Sequence, residues 1–184
     1  MSKRGPWLYI GIDESNNGHN PVYYSAVFSS HDKDADIRRE NSQLMPKIRD
    51  HGDSLWGKFS CRDYTFLLYT ESDHERIGKR WYLGVIAGSL IHEMPVGETL
   101  DIFIDGNHYP KRRVEGVRDI VSSVADLEKD LIEVITGRRL DRRNTPTNIA
   151  DEIAHWLYND KCLREIKENP KKKKVLTDLA PIRA

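Results

Sequence analysis

The stretch YIGIDESNNG, residues 9–18, decides the fold, because an apolar run ends there on two adjacent acids. Residues 7–12 (WLYIGI) are apolar and β-prone, and this pattern predicts a buried strand. Asp13 and Glu14 follow that strand directly. Polar residues at strand ends are the usual site of chemistry in an α/β sheet, so the stretch indicates a functional site at the end of the first strand.

Strand and helix patterns alternate along the rest of the chain. Predicted strands cover residues 7–12, 22–28, 64–70, 100–105 and 131–136. Predicted helices cover about 34–49 (short), 74–93, the residues after Pro110, and the part of TPTNIADEIAHWLY (145–158) that follows its capping residues. The glycines of the 74–93 helix indicate close packing against a sheet, and Val114, Val117, Val121 and Val124 share one face of the next helix. The order of three strands, helix, strand, helix, strand, helix predicts an α/β fold.

Length and composition favour one soluble domain. The chain has 184 residues, of which 32% are charged and 38% hydrophobic, and its formal net charge is zero. Any nucleic-acid binding therefore has to come from local basic patches. Residues 161–184 hold eight Lys or Arg and three Asp or Glu, so we expect a domain over 1–160 and a basic C-terminal tail over 161–184, with the lysine run Lys171–Lys174 as an electrostatic arm or a disordered end.

Membrane insertion and a disulfide framework are both disfavoured. The sequence has no apolar stretch near the roughly 18 residues of a membrane span, and its N-terminus does not resemble a signal peptide. Cys61 and Cys162 are far apart and do not form a metal-type pair. We expect a cytoplasmic protein with free thiols and no membrane partner, and the sequence leaves the oligomeric state open.

Three aspartates are placed so that their carboxylates could converge. Asp13 ends the first predicted strand, Asp105 ends the fourth, and Asp151 is expected in the first turn of the last helix. Each close pair of carboxylates costs on the order of 4 kcal/mol at an effective dielectric of about 20, so such a cluster needs cations or protons. Oxygen ligands suit Mg²⁺ or Mn²⁺, and two ions could activate a water and stabilise a departing 3′ oxygen.

The motifs around these acids resemble those of the ribonuclease H-like superfamily. GIDESNNG is similar to the G-I-D-E-A-G-R-G opening of type 2 ribonucleases H, and FIDGN (103–107) is similar to their hydrophobic-D-G-N segment. The D-E-S opening and IADEIAH (149–155) also resemble an uncharacterised branch that opens with D-E-S-G. The resemblance implies a ribonuclease H-like fold with a mixed five-stranded sheet (β1β2β3αβαβα) flanked by helices.

The same resemblance implies a metal-dependent nuclease that acts on nucleic acid (RNA, an RNA/DNA hybrid or DNA). Its metal ligands and catalytic residues would be Asp13, Glu14, Asp105 and Asp151, with two Mg²⁺ or Mn²⁺ ions. Where type 2 enzymes carry the G-R-G backbone clamp, this chain has Asn16, Asn17 and Gly18. Expected nucleic-acid contacts are Asn16, Asn17, Lys111, Arg112, Arg113, Arg138 and Arg139, with Arg142 and Arg143 beside them.

Several alternatives stay open at this point. Asp141 is a rival to Asp151 as the last ligand, and Asp151 could instead favour a helix dipole. Among the histidines, His108 and His155 are secondary site candidates, and His19 is assigned to a surface loop. The aromatic residues Tyr23, Tyr24 and Trp56 suit core packing better than base stacking. Two rival functions are a nucleic-acid-binding module of the same fold without turnover and a metal enzyme that acts on a smaller phosphate compound.

Overall fold

A computed structural model describes residues 7–15, 22–29, 44, 47, 64–69, 79–91, 99–106, 109–158 and 174–175. The short helix predicted at about 34–49 lies outside these residues except for Leu44 and Lys47. Most of the expected basic tail also lies outside them. Within the described part of the chain, no helix is long and apolar enough to cross a membrane.

The order of the main strands and helices follows the pattern of the sequence. The elements are β1 (Trp7–Glu14), β2 (Val22–Ser29), β3 (Tyr64–Tyr69), α1 (Lys79–Ile91), β4 (Thr99–Asp105), α2 (Lys111–Ala125), the 3-10 helix η1 (Lys129–Leu131), β5 (Ile132–Gly137), the 3-10 helix η2 (Leu140–Arg142), α3 (Thr145–Tyr158) and β6 (Lys174–Val175). The fold is therefore α/β.

One mixed sheet holds all the described strands, in the order β5-β4-β1-β2-β3-β6. The pairs β1–β2 and β2–β3 are antiparallel, whereas β1–β4, β4–β5 and β3–β6 are parallel. The count of six corrects the five strands that we expected, because the two residues of β6, within the expected tail, pair with β3. Since β1, β4 and β5 are mutually parallel, their carboxyl ends share one edge of the sheet.

Helices α1 and α2 cover one face of the sheet over the main hydrophobic core. Leu8, Ile10 and Ile12 of β1 lie in that core with buried residues of both helices. The glycines of α1 pack against α2, and not against the sheet as we expected: a Cβ at Gly84 would lie 2.6 Å from the Ile120 Cβ, and one at Gly88 would lie 2.7 Å from Val124 Cγ1. The absence of side chains at these two glycines lets the helices approach each other closely.

Helix α3 covers the other face of the sheet and touches β1 at a glycine. A Cβ at Gly11 would lie 2.1 Å from the Thr147 backbone nitrogen, so only glycine leaves room for the first turn of α3. Beside this contact, Tyr9 and Phe103 pack with Leu140 in a smaller apolar cluster. On the β2 side, the Ser25 hydroxyl donates to the carbonyl of Ala150. These contacts fix α3 against the strands that carry the candidate acids.

Candidate functional site

The pairing of β1 with β4 places Asp13 and Asp105 on the same face of the sheet. Gly11 is paired with Phe103, and both residues contact the α3 side. Side chains alternate along a strand, so Asp13 and Asp105, each two residues further on, point to that side as well. Strand β1 continues through Asp13 to Glu14, which corrects the expectation that the strand stops before these acids.

A turn after β5 holds the Asp105 carboxylate. Arg139 has a left-handed backbone (φ 58°), and this turn leads into η2. The backbone N–H of Leu140 donates to Asp105 Oδ1 at 2.7 Å. Because Leu140 is itself buried in the smaller apolar cluster, the position of the donor is fixed by packing. The next residue is Asp141, which is 5% exposed.

Asp151 reaches the same place from α3. The side chain of Asn144 caps this helix, since its Oδ1 accepts hydrogen bonds from the Thr147 backbone N–H (3.1 Å) and the Thr147 hydroxyl (2.9 Å). The helix therefore begins at Thr145, and Asp151 lies in its second turn, not in the first turn as we expected. The interpretation of Asp151 as a helix-dipole residue loses its basis, because that effect falls off within the first turn.

Lys47 forms ion pairs with both Asp141 and Asp151, which the sequence left as alternatives for the last ligand. Its ammonium nitrogen lies 3.0 Å from Asp141 Oδ2 and 3.2 Å from both carboxylate oxygens of Asp151. The side chains of Asp141 and Asp151 are 7% and 14% exposed. Both acids therefore contribute to one site, which we call the aspartate cluster: Asp13, Asp105, Asp141 and Asp151.

The ionised form of Asp13 is disfavoured in the aspartate cluster. Burial raises the pKa of its carboxyl well above the ordinary value, and the negative charges of Asp151, Asp105 and Asp141 raise it further. The hydrogen bond from the Glu14 backbone N–H to Asp13 Oδ1, at 2.7 Å, acts in the opposite direction. The protein groups around Asp13 thus leave its negative charge poorly compensated.

The ionised form of Asp105 is also disfavoured, although less strongly than that of Asp13. Burial and the charge of Asp141 raise its pKa to about 6, and the charge of Asp151 adds to the shift. The hydrogen bond from Leu140 and the positive charge of Lys47 both lower the pKa. Two aspartates on neighbouring strands therefore hold protons more tightly than ordinary carboxyls do, which is typical of functional sites.

Glu14 lies at the same edge of the sheet, beside Tyr109. Alternation along β1 turns Glu14 to the face opposite Asp13. Burial raises the pKa of the Tyr109 hydroxyl above its ordinary value, and the charges of Glu14, Asp13 and Asp105 raise it further. The Arg113 guanidinium lies 5.7 Å from the centre of the Tyr109 ring and has the opposite effect on this pKa. Tyr109 thus lies near Glu14, Asp13 and Asp105.

The donor set suits a hard divalent cation, although the present arrangement is not a formed metal site. Among the described residues, no group of three or more His, Cys, Asp or Glu side chains could hold a metal ion as it stands. The aspartate cluster nevertheless offers oxygen ligands alone, the type that Mg²⁺ and Mn²⁺ take. The raised pKa values of Asp13 and Asp105 indicate that further positive charge would be stabilised there.

The expected nucleic-acid contacts divide into described and undescribed residues. Lys111 and Arg112 are exposed at the start of α2, Arg113 is half-buried, and Arg138 and Arg139 are exposed just after β5. Gly106 and Gly137 are hydrogen-bonded through their backbones at 2.9 Å, so these basic residues follow adjoining strand ends. Asn16, Asn17, His19, His108, Trp56 and the side chain of Tyr23 lie outside the described residues, whereas His155 is half-buried on α3 and Tyr24 is buried.

Lys47 and Tyr109 belong to the site but were not predicted from the sequence. Lys47 lies in a polar segment, within the short helix predicted at about 34–49, and its partners Asp141 and Asp151 are about a hundred residues further along the chain. The sequence gives only a weak indication that Tyr109 belongs to the site: it lies four residues after Asp105 and just before the proline that precedes α2.

Comparison with known proteins adds little to this geometry. No protein-family model matches the chain, and no curated protein matches it. The chain is similar to a solved structure, that of the PCNA:RNase HII complex from Archaeoglobus fulgidus, with a TM-score of 0.48 and 15% sequence identity over 88% of this chain and 77% of that chain. Function therefore has to be inferred from this chain's own residues.

Proposed function

We propose that this protein is a metal-dependent nuclease with a ribonuclease H-like fold, which hydrolyses phosphodiester bonds using two Mg²⁺ or Mn²⁺ ions. RNA, alone or in an RNA/DNA hybrid, is the leading substrate class. One observation carries the proposal: Asp13 and Asp105, on neighbouring parallel strands, converge with Asp141 and Asp151, and burial raises the pKa of both strand carboxyls.

The chain's own groups would position the ions and the substrate. Bound ions supply activation of the attacking water and stabilisation of the departing 3′ oxygen. Asp13 and Asp105 would be ligands of the ions, because they project from the same edge of the sheet. Asp151 would complete the ligand set on the α3 side together with Asp141. Glu14 would contribute from the opposite face, next to Tyr109.

Exposed basic residues beside the aspartate cluster support a polyanionic substrate. Lys111 and Arg112 follow β4, and Arg138 and Arg139 follow β5, so positive charge comes after the carboxyl ends of both strands. A phosphate backbone could contact these side chains while one phosphate lies at the carboxylates. Without a metal, the carboxylates would repel that phosphate, so binding and catalysis share the same need for cations.

A second candidate function is a nucleic-acid-binding module of the same fold without turnover. The position of Lys47 favours it, because this ammonium already compensates Asp141 and Asp151 without a metal. Such a module would bind nucleic acid in a salt-sensitive manner, and Mg²⁺ or Mn²⁺ would not cause cleavage.

The test is cleavage by the purified protein of a panel of single-stranded RNA, single-stranded DNA, duplex DNA and RNA/DNA hybrid. We expect Mn²⁺ or Mg²⁺ to support cleavage of at least one substrate and EDTA to abolish it. Asp13→Asn and Asp105→Asn should remove activity, while Asp130→Asn, at an exposed residue of η1, should retain it. Full activity of Asp13→Asn would refute the nuclease proposal, and binding without any cleavage would support the second candidate.

A further inference from the structure

The Lys47 ammonium lies where a cation would be held in the aspartate cluster. Its nitrogen is 3.2 Å from each oxygen of the Asp151 carboxylate and 3.0 Å from Asp141 Oδ2. The ammonium therefore contacts both oxygens of the Asp151 carboxylate and one oxygen of the Asp141 carboxylate.

Position and chemistry both make this ammonium a substitute for a metal ion. Lysine carries a compact point charge on a flexible stem, so it can fill a cation position and also leave it. A Mg²⁺ ion would approach the same oxygens to about 2.0–2.1 Å and would repel a neighbouring ammonium. The Lys47 side chain is 32% exposed, so the ammonium has access to solvent when it leaves.

We propose that Lys47 is an internal counter-ion that occupies the Asp141–Asp151 position in the metal-free protein and is displaced when a divalent ion binds there. This inference rests on the proposed metal-dependent function and adds a competition step to it. The ammonium occupies the oxygens that the ion would take.

Two consequences follow for the metal-free and metal-bound states. Without metal, Lys47 limits the repulsion between Asp141 and Asp151, so its loss should lower stability. With metal, the same ammonium is a competitor, so its loss should strengthen binding. A lysine that served only as a structural ion-pair partner would produce the first effect and not the second.

The first experiment is calorimetric titration of Mn²⁺ into the full chain, without nucleic acid. We expect Lys47→Met to bind Mn²⁺ on the order of tenfold more tightly than the wild type, because a competing charge is gone. Lys47→Arg, which keeps the charge, should bind no more tightly than the wild type. The matched control is Lys129→Met, which removes the same charge from an exposed ion pair with Asp119 (2.8 Å) away from the cluster.

The result separates the two proposals. If the wild type binds Mn²⁺ but Lys47→Met binds no more tightly than Lys129→Met, the displacement of Lys47 is refuted and the nuclease proposal remains. If neither the wild type nor any variant binds Mn²⁺, both proposals are wrong.

A second measurement keeps the test independent of how well Lys47→Met folds. The rate of acetylation of the Lys47 amine in the wild type, followed by peptide mass spectrometry, should rise severalfold at saturating Mn²⁺. The rate at Lys129 provides the internal reference, since its side chain is exposed and its ion-pair partner Asp119 lies outside the aspartate cluster. An unchanged or slower reaction of Lys47 at saturating Mn²⁺ would show that the ammonium stays in place and would overturn the proposal.

Discussion

Gly11 of β1 lies directly beneath Thr147 of α3, so close that a Cβ on Gly11 would be 2.1 Å from the Thr147 backbone nitrogen. The neighbouring atoms belong to the backbone and cannot move aside as a side chain can. This contact sets the height of α3 above the sheet. It therefore also sets how near Asp151 comes to Asp13.

Gly11→Ala should destabilise the protein by at least about 1–3 kcal/mol, the usual cost of overpacking, because α3 has to move away from β1. Urea unfolding followed by circular dichroism measures the change. Gly137→Ala is the matched control, since a Cβ there meets Leu140 at an ordinary 3.6 Å. Equal stability of the two variants would contradict the close contact between α3 and β1.

The sequence carried enough information for the order of the elements and for the first two acids. Apolar runs predicted β1 and β4, and strand pairing with side-chain alternation then brings Asp13 and Asp105 together. The cap of α3 was misplaced, because several residues before Ile149 are capping types and only the structure distinguishes Asn144 from them. Because of that error, Asp151 was expected in the first turn of α3 and lies in the second.

Contacts between distant segments of the chain could not be predicted from the sequence. Asp141 and Asp151 looked like alternatives because nothing local indicates that both meet Lys47. The glycines of α1 were correctly predicted to mark close packing, but the element packed against them is α2 and not the sheet. The sequence does not show which element approaches a glycine. Periodicity predicts faces of helices and strands, whereas the site depends on which faces meet.

The metal-free protein should lose stability as the pH rises from about 4 to 6. The folded-state pKa of Asp105 is raised to about 6 from an ordinary value of 3.8, so in this range the folded chain binds more protons than the unfolded chain. The free energy of unfolding then falls with pH and levels off above about 6 for this group. The raised pKa of Asp13 acts in the same direction.

Asp105→Asn should make that decline smaller without removing it, because Asp13 still contributes. Urea titrations in EDTA at pH 4.5, 5.5, 6.5 and 7.5 measure the effect. Asn keeps an oxygen that can accept the Leu140 hydrogen bond, so the substitution removes mainly the charge. Asp130→Asn, on the exposed η1, should follow the wild-type curve. A variant curve as steep as that of the wild type would contradict the raised pKa of Asp105.

Mg²⁺ or Mn²⁺ should raise the melting temperature at pH 7.5, where the carboxylates are least compensated. An ion at a hundred times its dissociation constant stabilises the folded state by about 2.7 kcal/mol. The double variant Asp13→Asn/Asp105→Asn should lose this metal-dependent shift, although its metal-free form should melt at a higher temperature than the wild type. A shift of equal size in the double variant would place the metal elsewhere.

Neutralising the exposed basic residues should weaken nucleic-acid binding for all sequences alike. Lys111 and Arg112 begin α2, and Arg138 and Arg139 follow β5, so their side chains can reach the backbone of one bound strand. Each ion pair with a phosphate that the substitutions remove should reduce the slope of log K against log salt by about 0.7–0.9. The measurement is fluorescence anisotropy with a labelled oligonucleotide at several salt concentrations, in Ca²⁺ to limit cleavage.

The variant for this measurement replaces all four residues by Gln, and Lys129→Gln is the control at an exposed lysine on η1. Both should have wild-type circular dichroism, since the replaced side chains are exposed. We expect the fourfold variant to bind more weakly with a shallower salt slope, and the control to match the wild type. An unchanged slope in the fourfold variant would mean that the strand crosses the aspartate cluster by another route, away from the ends of β4 and β5.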